Sequence, residues 1–360
     1  MDHSPTMTKK LNLSQVAKHL GVSIATVSNA FNRPDQLSAK LRERILLESA
    51  ELGYHGPNLA ARSLRMGASG VVGVMLADSL SYSFSDPVAS QLLQGIAEVL
   101  VQNNKQLLLL SGNVDSTEQS TAESLPDGFI LYGALRGKSM EQIRRLGKPM
   151  VKVDCKAENS HSVNIDNEEG ARAIAEHAFN NSLSVITPPL ISVLGLRLID
   201  ATRVCRLTPA DILVESEEIS QSRLKGYLQA AEQNNLEIKP DLIWHIPINE
   251  AQSAEIAARE ALTTATPPNL LLCMSDVIAL SAMRVARELG FKVPQDLQIT
   301  GFDDIPEAAR SEPSLTTVCQ QSIEKGRVAA NLLLDSINSP LEIQHLKLDT
   351  RLVVRASCPD

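Results

Sequence analysis

From Val71 onward the sequence alternates short apolar runs with stretches of helical period, and it does so for about 290 residues. Runs at 71–77, 106–111, 128–132, 150–154, 191–196, 242–246, 269–274 and 297–301 read as strands, with a last one at 348–354. Between them, 87–103 (capped by Asp86), 139–146, 168–180, 221–234, 251–262, 277–289 and 322–337 read as helices. Such alternation predicts parallel sheets covered by helices on both faces. One core rarely grows that large, so two α/β lobes are expected.

Residues 1–66 carry nine Lys and Arg against five Asp and Glu, while the remaining 294 carry 25 against 37. A small basic head on an acidic body suggests a polyanion partner for the head alone. The five cysteines lie far apart with no CxxC pair, which fits reduced thiols and gives no reason to expect a metal or cofactor. No window approaches the ~18 apolar residues of a membrane span, and Met1 to Lys10 is polar with no apolar leader core. The cytoplasm is therefore the expected compartment, with no membrane partner.

In the head, Leu13, Val16, Ala17 and Leu20 fall at helical spacing behind Asn12 as a cap, and Gly21 stops the helix. Ser23 caps a second helix with Val27, Ala30 and Phe31 inward, and Val22 and Val27 are spaced as a hydrophobic staple. A third helix fits from Ser38 through Leu41, Ile45 and Ala50, ending at Gly53. Two helices joined by a Gly turn make a helix-turn-helix. Its second helix leaves Ile24, Ala25, Thr26, Ser28 and Asn29 outward near the N-terminus, where a recognition helix meets base edges. Ile24 and Ala25 suit thymine methyls, and Asn29 suits adenine. Thr26, Ser28 and Asn32 suit phosphates, as does the helix start at Ser38, Ala39 and Lys40. The alternative is a small helical pair with polar exposed faces.

The run LSQVAKHLGVSIATVSNAFN at 13–32 resembles the head of the lactose-repressor (LacI/GalR) family of bacterial transcription regulators. LRER from residue 41, ELGY at 51–54 and PNLAARSL at 57–64 continue the resemblance. It implies a small all-α helix-turn-helix head plus an α/β bilobed, periplasmic-binding-protein-like body with two parallel sheets. It also implies double-stranded DNA as partner, with Ile24, Ala25 and Asn29 at base-reading positions and Asn58 within the matched segment. The expected domains are 1–56 for DNA binding, 57–69 for a hinge helix and linker, and 70–360 for effector binding and dimerisation. Segment 57–66 starts at Pro57 and is too short for a stable isolated helix. By the resemblance it folds on DNA and wedges Leu64 into the minor groove, with Arg62 and Arg65 near phosphates. Otherwise it is a linker whose leucine packs on the core.

In doubly wound sheets, ligands bind outside the carboxyl ends of the strands. Asp78, Asp154, Ser275-Asp276 and Asp303-Asp304 stand there, and Arg223 opens a helix. Carboxylates with an arginine suit a polyhydroxylated ligand, because a hydroxyl donates to Asp and accepts from Arg. Strand-end Asp is also a common helix cap, so each position admits both readings. Resemblance to the same family places Asp154, Arg223, Ser275 and Asp303 at effector-binding positions. Ser275 stands where some members have Asn, which puts that contact in doubt, and the Pro-Pro within 181–190 suggests a lengthened loop.

Gly133 to Ser139 is one residue short of a P-loop, and HExxH, GxSxG and a GxGxxG after the first strand do not occur. No enzyme is expected. A periplasmic solute receptor would share the body but would need a signal peptide and no DNA-reading head. The expectation is a homodimeric regulator, most often a repressor, on a pseudo-palindromic operator, modulated by a sugar or nucleoside-like effector. Without a heptad tail after 348–354, a coiled-coil tetramer is not expected.

Overall fold

A computed structural model describes residues 11–56, 68–112, 125–135, 138–181, 189–212 and 218–360. The chain divides into two compact units between Gly70 and Val71.

The first unit holds α1 (Leu13–Leu20), α2 (Ile24–Asn32) and α3 (Ala39–Glu51). Asn12 and Gln15 form a reciprocal capping box on α1, and Gly21 ends that helix at φ 65, a left-handed position that glycine adopts without strain. Ser23 caps α2 and Ser38 caps α3, each through its hydroxyl oxygen. Val16, Ala17, Val27, Ala30, Ile45 and Tyr54 bury the core. Phe31 meets Tyr54 edge-on at 5.6 Å.

The second unit carries β1 (Val71–Leu76), β2 (Gln106–Ser111), β3 (Gly128–Tyr132), β4 (Met150–Val153) and β5 (His161–Ile165) in its first half. Then come β6 (Ile191–Leu196), β7 (Cys205–Arg206), β8 (Ile243–Ile246), β9 (Leu270–Cys273), β10 (Gln298–Thr300), β11 (Thr317–Cys319), β12 (His345–Leu348) and β13 (Arg351–Val353). The helices are α4 (Leu80–Ser85), α5 (Pro87–Gln102), α6 (Lys138–Arg145), α7 (Asn167–Asn180), α8 (Pro209–Ile212), α9 (Ile219–Gln233), α10 (Ala251–Leu262), α11 (Asp276–Glu288), α12 (Pro306–Arg310) and α13 (Ser322–Asn338). Among the described residues two large sheets result, with orders β12-β5-β4-β3-β1-β2 and β10-β9-β6-β8-β7, and β11 and β13 form a two-stranded antiparallel pair beside them. Each large sheet has a hydrophobic cluster against either face, the arrangement of two doubly wound lobes.

The first sheet is parallel throughout, whereas the second departs from the expected parallel pattern at β7, which pairs antiparallel with β8. The expected last strand at 348–354 corresponds to the shorter β13, which pairs with β11, while β12 at His345–Leu348, on the edge of the first sheet, was not expected. The chain therefore passes between lobes near 165–167, 319–322 and 348–351.

Helices close on each other at glycines. A Cβ on Gly95 of α5 would lie 1.9 Å from the Ile323 carbonyl oxygen, and one on Gly326 of α13 would lie 2.2 Å from that of Leu92. In the other lobe, a Cβ on Gly226 of α9 would lie 2.2 Å from the Glu168 carbonyl oxygen.

Candidate functional site

The carboxyl ends of strands from both lobes converge on a cavity of about 440 Å³, within the range of small-molecule sites. Asp78, Tyr132, Asp154, Arg197, Ser275 and Asp303 reach it from just beyond or at the ends of strands, and Arg223 from the first turns of α9. All four residues expected at an effector site, Asp154, Arg223, Ser275 and Asp303, line it and are buried.

Arg223 is fixed from three sides. Its Nε donates to Asn167 Oδ1 at 2.9 Å, one terminal nitrogen donates to the Met274 carbonyl, and its plane lies 3.6 Å from the Phe302 ring centroid. The same terminal nitrogen stands 3.6 Å from Asp303 Oδ1. Asp303 accepts from Gln320 Nε2 at 2.6 Å. Burial holds the Asp303 carboxyl well above the usual carboxylate range, against the opposing pull of Arg223.

Asp154 belongs to the same network. Lys325 Nζ, fully buried on α13, donates to Asp154 Oδ2 at 2.6 Å and to Gln320 Oε1 at 2.7 Å. A line of contacts thus runs Asp154, Lys325, Gln320, Asp303, Arg223, from one lobe through a connecting segment to the other. Asp154 Oδ1 is buried with no hydrogen-bond partner. Asp154, Arg197 and Asp303 have φ of 55°, 52° and 132°, conformations that non-glycine residues hold only where their surroundings enforce them.

Ser275 caps α11 through its hydroxyl oxygen and donates to Asn249 Oδ1 at 2.6 Å. Asn249 also lines the cavity, so an amide reaches the ligand space from the β8 side. Asp276, beside it, faces inward: Thr317 Oγ1 donates to one oxygen and the Ile305 N–H to the other at 2.9 Å. Asp78 and Arg197 join the lobes across the mouth with two hydrogen bonds of 3.1 and 3.2 Å. Arg197 also lies over the Tyr82 ring at 5.7 Å. Asp86 caps α5 by accepting from the Val88 N–H, and burial raises its carboxyl.

Sequence reasoning did not find Tyr82, Arg197, Asn249, Gln320 or Lys325. Arg197 and Asn249 follow strand ends and were open to the rule that located the aspartates. Lys325 carries no local signal, being 171 residues from its carboxylate.

In the head, Ile24, Ala25 and Lys40 are exposed, and Thr26, Ser28, Asn29 and Asn32 are half-buried. Several are already engaged within the head. Thr26 Oγ1 meets Ser23 Oγ at 2.8 Å, Asn32 Nδ2 donates to the Ser28 carbonyl at 3.0 Å, and Asn29 Nδ2 donates to Gln36 Oε1 at 3.3 Å. Gln36 thus orients Asn29, a contact the helix pattern did not reveal. Asn58 and Leu64 lie outside the described residues, as do 182–188 of the Pro-Pro loop and Arg136 and Gly137 of the incomplete P-loop.

Residues 12–58 match the model of bacterial regulatory proteins of the lacI family, and 210–358 match a periplasmic binding protein-like domain. The chain is 36% identical to the HTH-type transcriptional regulator Rv3575c of Mycobacterium tuberculosis, with 97% of each chain covered. It belongs to the LacI family of bacterial regulatory proteins. This LacI-family chain is also 31% identical to the ribose operon repressor of Halalkalibacterium halodurans, over 95% of this chain and 96% of the other. Its fold is that of the lac repressor dimer solved with operator and the anti-inducer ONPF, at TM-score 0.70 and 22% identity, covering 98% of this chain and all of that one. Like these relatives, it is a DNA-binding transcriptional regulator.

Proposed function

We propose that this LacI-family chain is a repressor acting as a homodimer on a pseudo-palindromic operator, with affinity set by a sugar or nucleoside-like effector in the inter-lobe cavity. The observation that carries this reading is the convergence of Asp154, Arg223, Ser275 and Asp303, from both lobes, on one cavity of about 440 Å³. Carboxylates beside a fixed guanidinium bind hydroxyls bidentately, and the names of the ribose operon repressor and the lac repressor structure point to the same pairing of DNA and small ligand.

In the head, the exposed Ile24 and Ala25 would meet thymine methyls and Asn29, turned from Gln36, would pair with adenine. Thr26, Ser28, Asn32 and Lys40 would hold phosphates. Segment 57–69 would act as hinge helix and linker, with Asn58 and Leu64 at the DNA. Operators bound by such dimers carry two half-sites about one helical turn apart. No catalytic role is assigned, and the cytoplasm is the compartment where DNA and effector meet. No helix among the described residues is long and apolar enough to cross a membrane.

Asp303→Asn tests the cavity assignment. DNA binding measured by fluorescence anisotropy should match wild type without effector, while the effector's shift of the binding curve should be lost. A normal shift in the variant would show that Asp303 is not an effector residue.

A further inference from the structure

The cations deep in the cavity are all matched by acidic groups of the chain itself. Lys325 is fully buried between Asp154 and Gln320, and Arg223 stands against Asp303 while its other contacts hold it to Asn167 and Met274. At the mouth, Arg197 is taken by Asp78. Among the described lining residues, five acidic groups, Asp78, Asp86, Asp154, Glu218 and Asp303, face three cations, Lys156, Arg197 and Arg223, with Lys325 a fourth cation held behind Asp154, and burial raises the carboxyls of Asp86 and Asp303. Lys156 is exposed at the rim.

Two further features bear on what the cavity accepts. The phenols of Tyr82 and Tyr132 are both raised, first by burial and then by the carboxylates around them, which include Asp86 and Asp303 for both. Asp154 Oδ1 is a buried acceptor without a donor, a costly state that a ligand hydroxyl would relieve. A phosphate or carboxylate offers no donor there when ionised and would add charge to a cavity already rich in it.

We propose that the effector is an uncharged polyhydroxylated ring donating a hydroxyl proton to Asp154 Oδ1, and that its phosphorylated or carboxylated forms are rejected by the surrounding carboxylates. This rests on the reading of the cavity as the effector site and narrows the chemistry that site accepts. Lys325 acts as a positioning residue: it holds Asp154 by one oxygen and leaves the other for the ligand. Arg223 then completes the hydroxyl clamp with Asp303, accepting no net anion because the two are already paired.

The test is calorimetric titration of the full chain with matched pairs at fixed ionic strength: aldohexoses, pentoses, cyclitols and nucleosides, each beside its monophosphate. The tightest ligand should be uncharged, its monophosphate more than tenfold weaker, and its heat absent in Asp303→Asn. A monophosphate binding within tenfold of its parent, or more tightly, would overturn the proposal while leaving the cavity as the effector site. If no member of either series binds, the sugar or nucleoside-like reading itself falls, and this narrower one with it.

Discussion

Asp276 shows how one residue ties the effector side of the cavity to its packing. Burial pushes its carboxyl up to about 6, from an ordinary 3.8, although Thr317 and the Ile305 N–H both donate to it. Because the folded state takes up a proton more readily than the unfolded one, Asp276 contributes stability that is fully present below pH 3.8 and is lost as pH rises through 6. Between pH 7.5 and 4.5 the change amounts to about 2 kcal/mol. Chemical denaturation of wild type and Asp276→Asn across that range should show the wild type gaining by about that amount relative to the variant. A constant difference would mean that Asp276 keeps an ordinary carboxyl. Gly301 is part of the same arrangement, since a Cβ there would lie 2.2 Å from Asp276 Oδ1.

Much of the cavity was legible residue by residue, and the reason is topological. Parallel strands deliver whatever follows them to one edge, so Asp154, Ser275 and Asp303 could be placed from strand ends alone. Arg223 is read from its place at the opening of a helix beside those carboxylates, and the family resemblance sharpens it to a ligand clamp. Lys325 was illegible because it matters through a carboxylate 171 residues away, and Gln320 because it follows β11, a strand of three residues that no period marks.

At the scale of elements, caps and periods located the helices well. Asn12, Ser23, Ser38 and Asp86 all cap where the sequence put them, because capping is settled within three residues. Strands β5, β7 and β11 escaped notice for the opposite reason. β5 carries His161, Ser162 and Asn164, with His161 and Ser162 buried by tertiary partners: Ser162 meets His345 at 2.9 Å, and the Gln344 N–H donates to His161 at 3.1 Å. No apolar run marks it. β7 and β11 are two and three residues long, below the length at which a period can be read.

Helix packing yields a test in which two local rules oppose each other. Gly226 lies inside α9, where alanine would gain about 1 kcal/mol in intrinsic propensity. Its missing Cβ is what lets α9 approach the Glu168 carbonyl. Overpacking should win, and Gly226→Ala should lose about 1–3 kcal/mol in denaturant unfolding. A stabilised variant would show that α7 and α9 can separate at little cost.

For the whole molecule, the proposed function depends on coupling an inter-lobe cavity to the DNA-reading head. The lobes are joined by three connecting segments, by the Asp78–Arg197 pair and by the buried line from Asp154 to Arg223. A ligand gripped by groups from both lobes binds one lobe arrangement better than another, and only that difference can be passed to DNA. A coupling of about 1–3 kcal/mol is typical of such regulators. The surplus of Lys and Arg in residues 1–66, against an acidic remainder, suits the head to a polyanion.

The central claim is that this chain reads a two-fold symmetric DNA sequence. Selection of duplexes from a randomised pool tests it, performed at one stated salt concentration with and without the sugar and nucleoside series, because phosphate contacts make affinity salt-dependent. The account predicts enrichment of a single pseudo-palindrome with half-sites about one helical turn apart, in one of the two conditions more than the other. No enrichment in either condition, or enrichment of an asymmetric site, would contradict it.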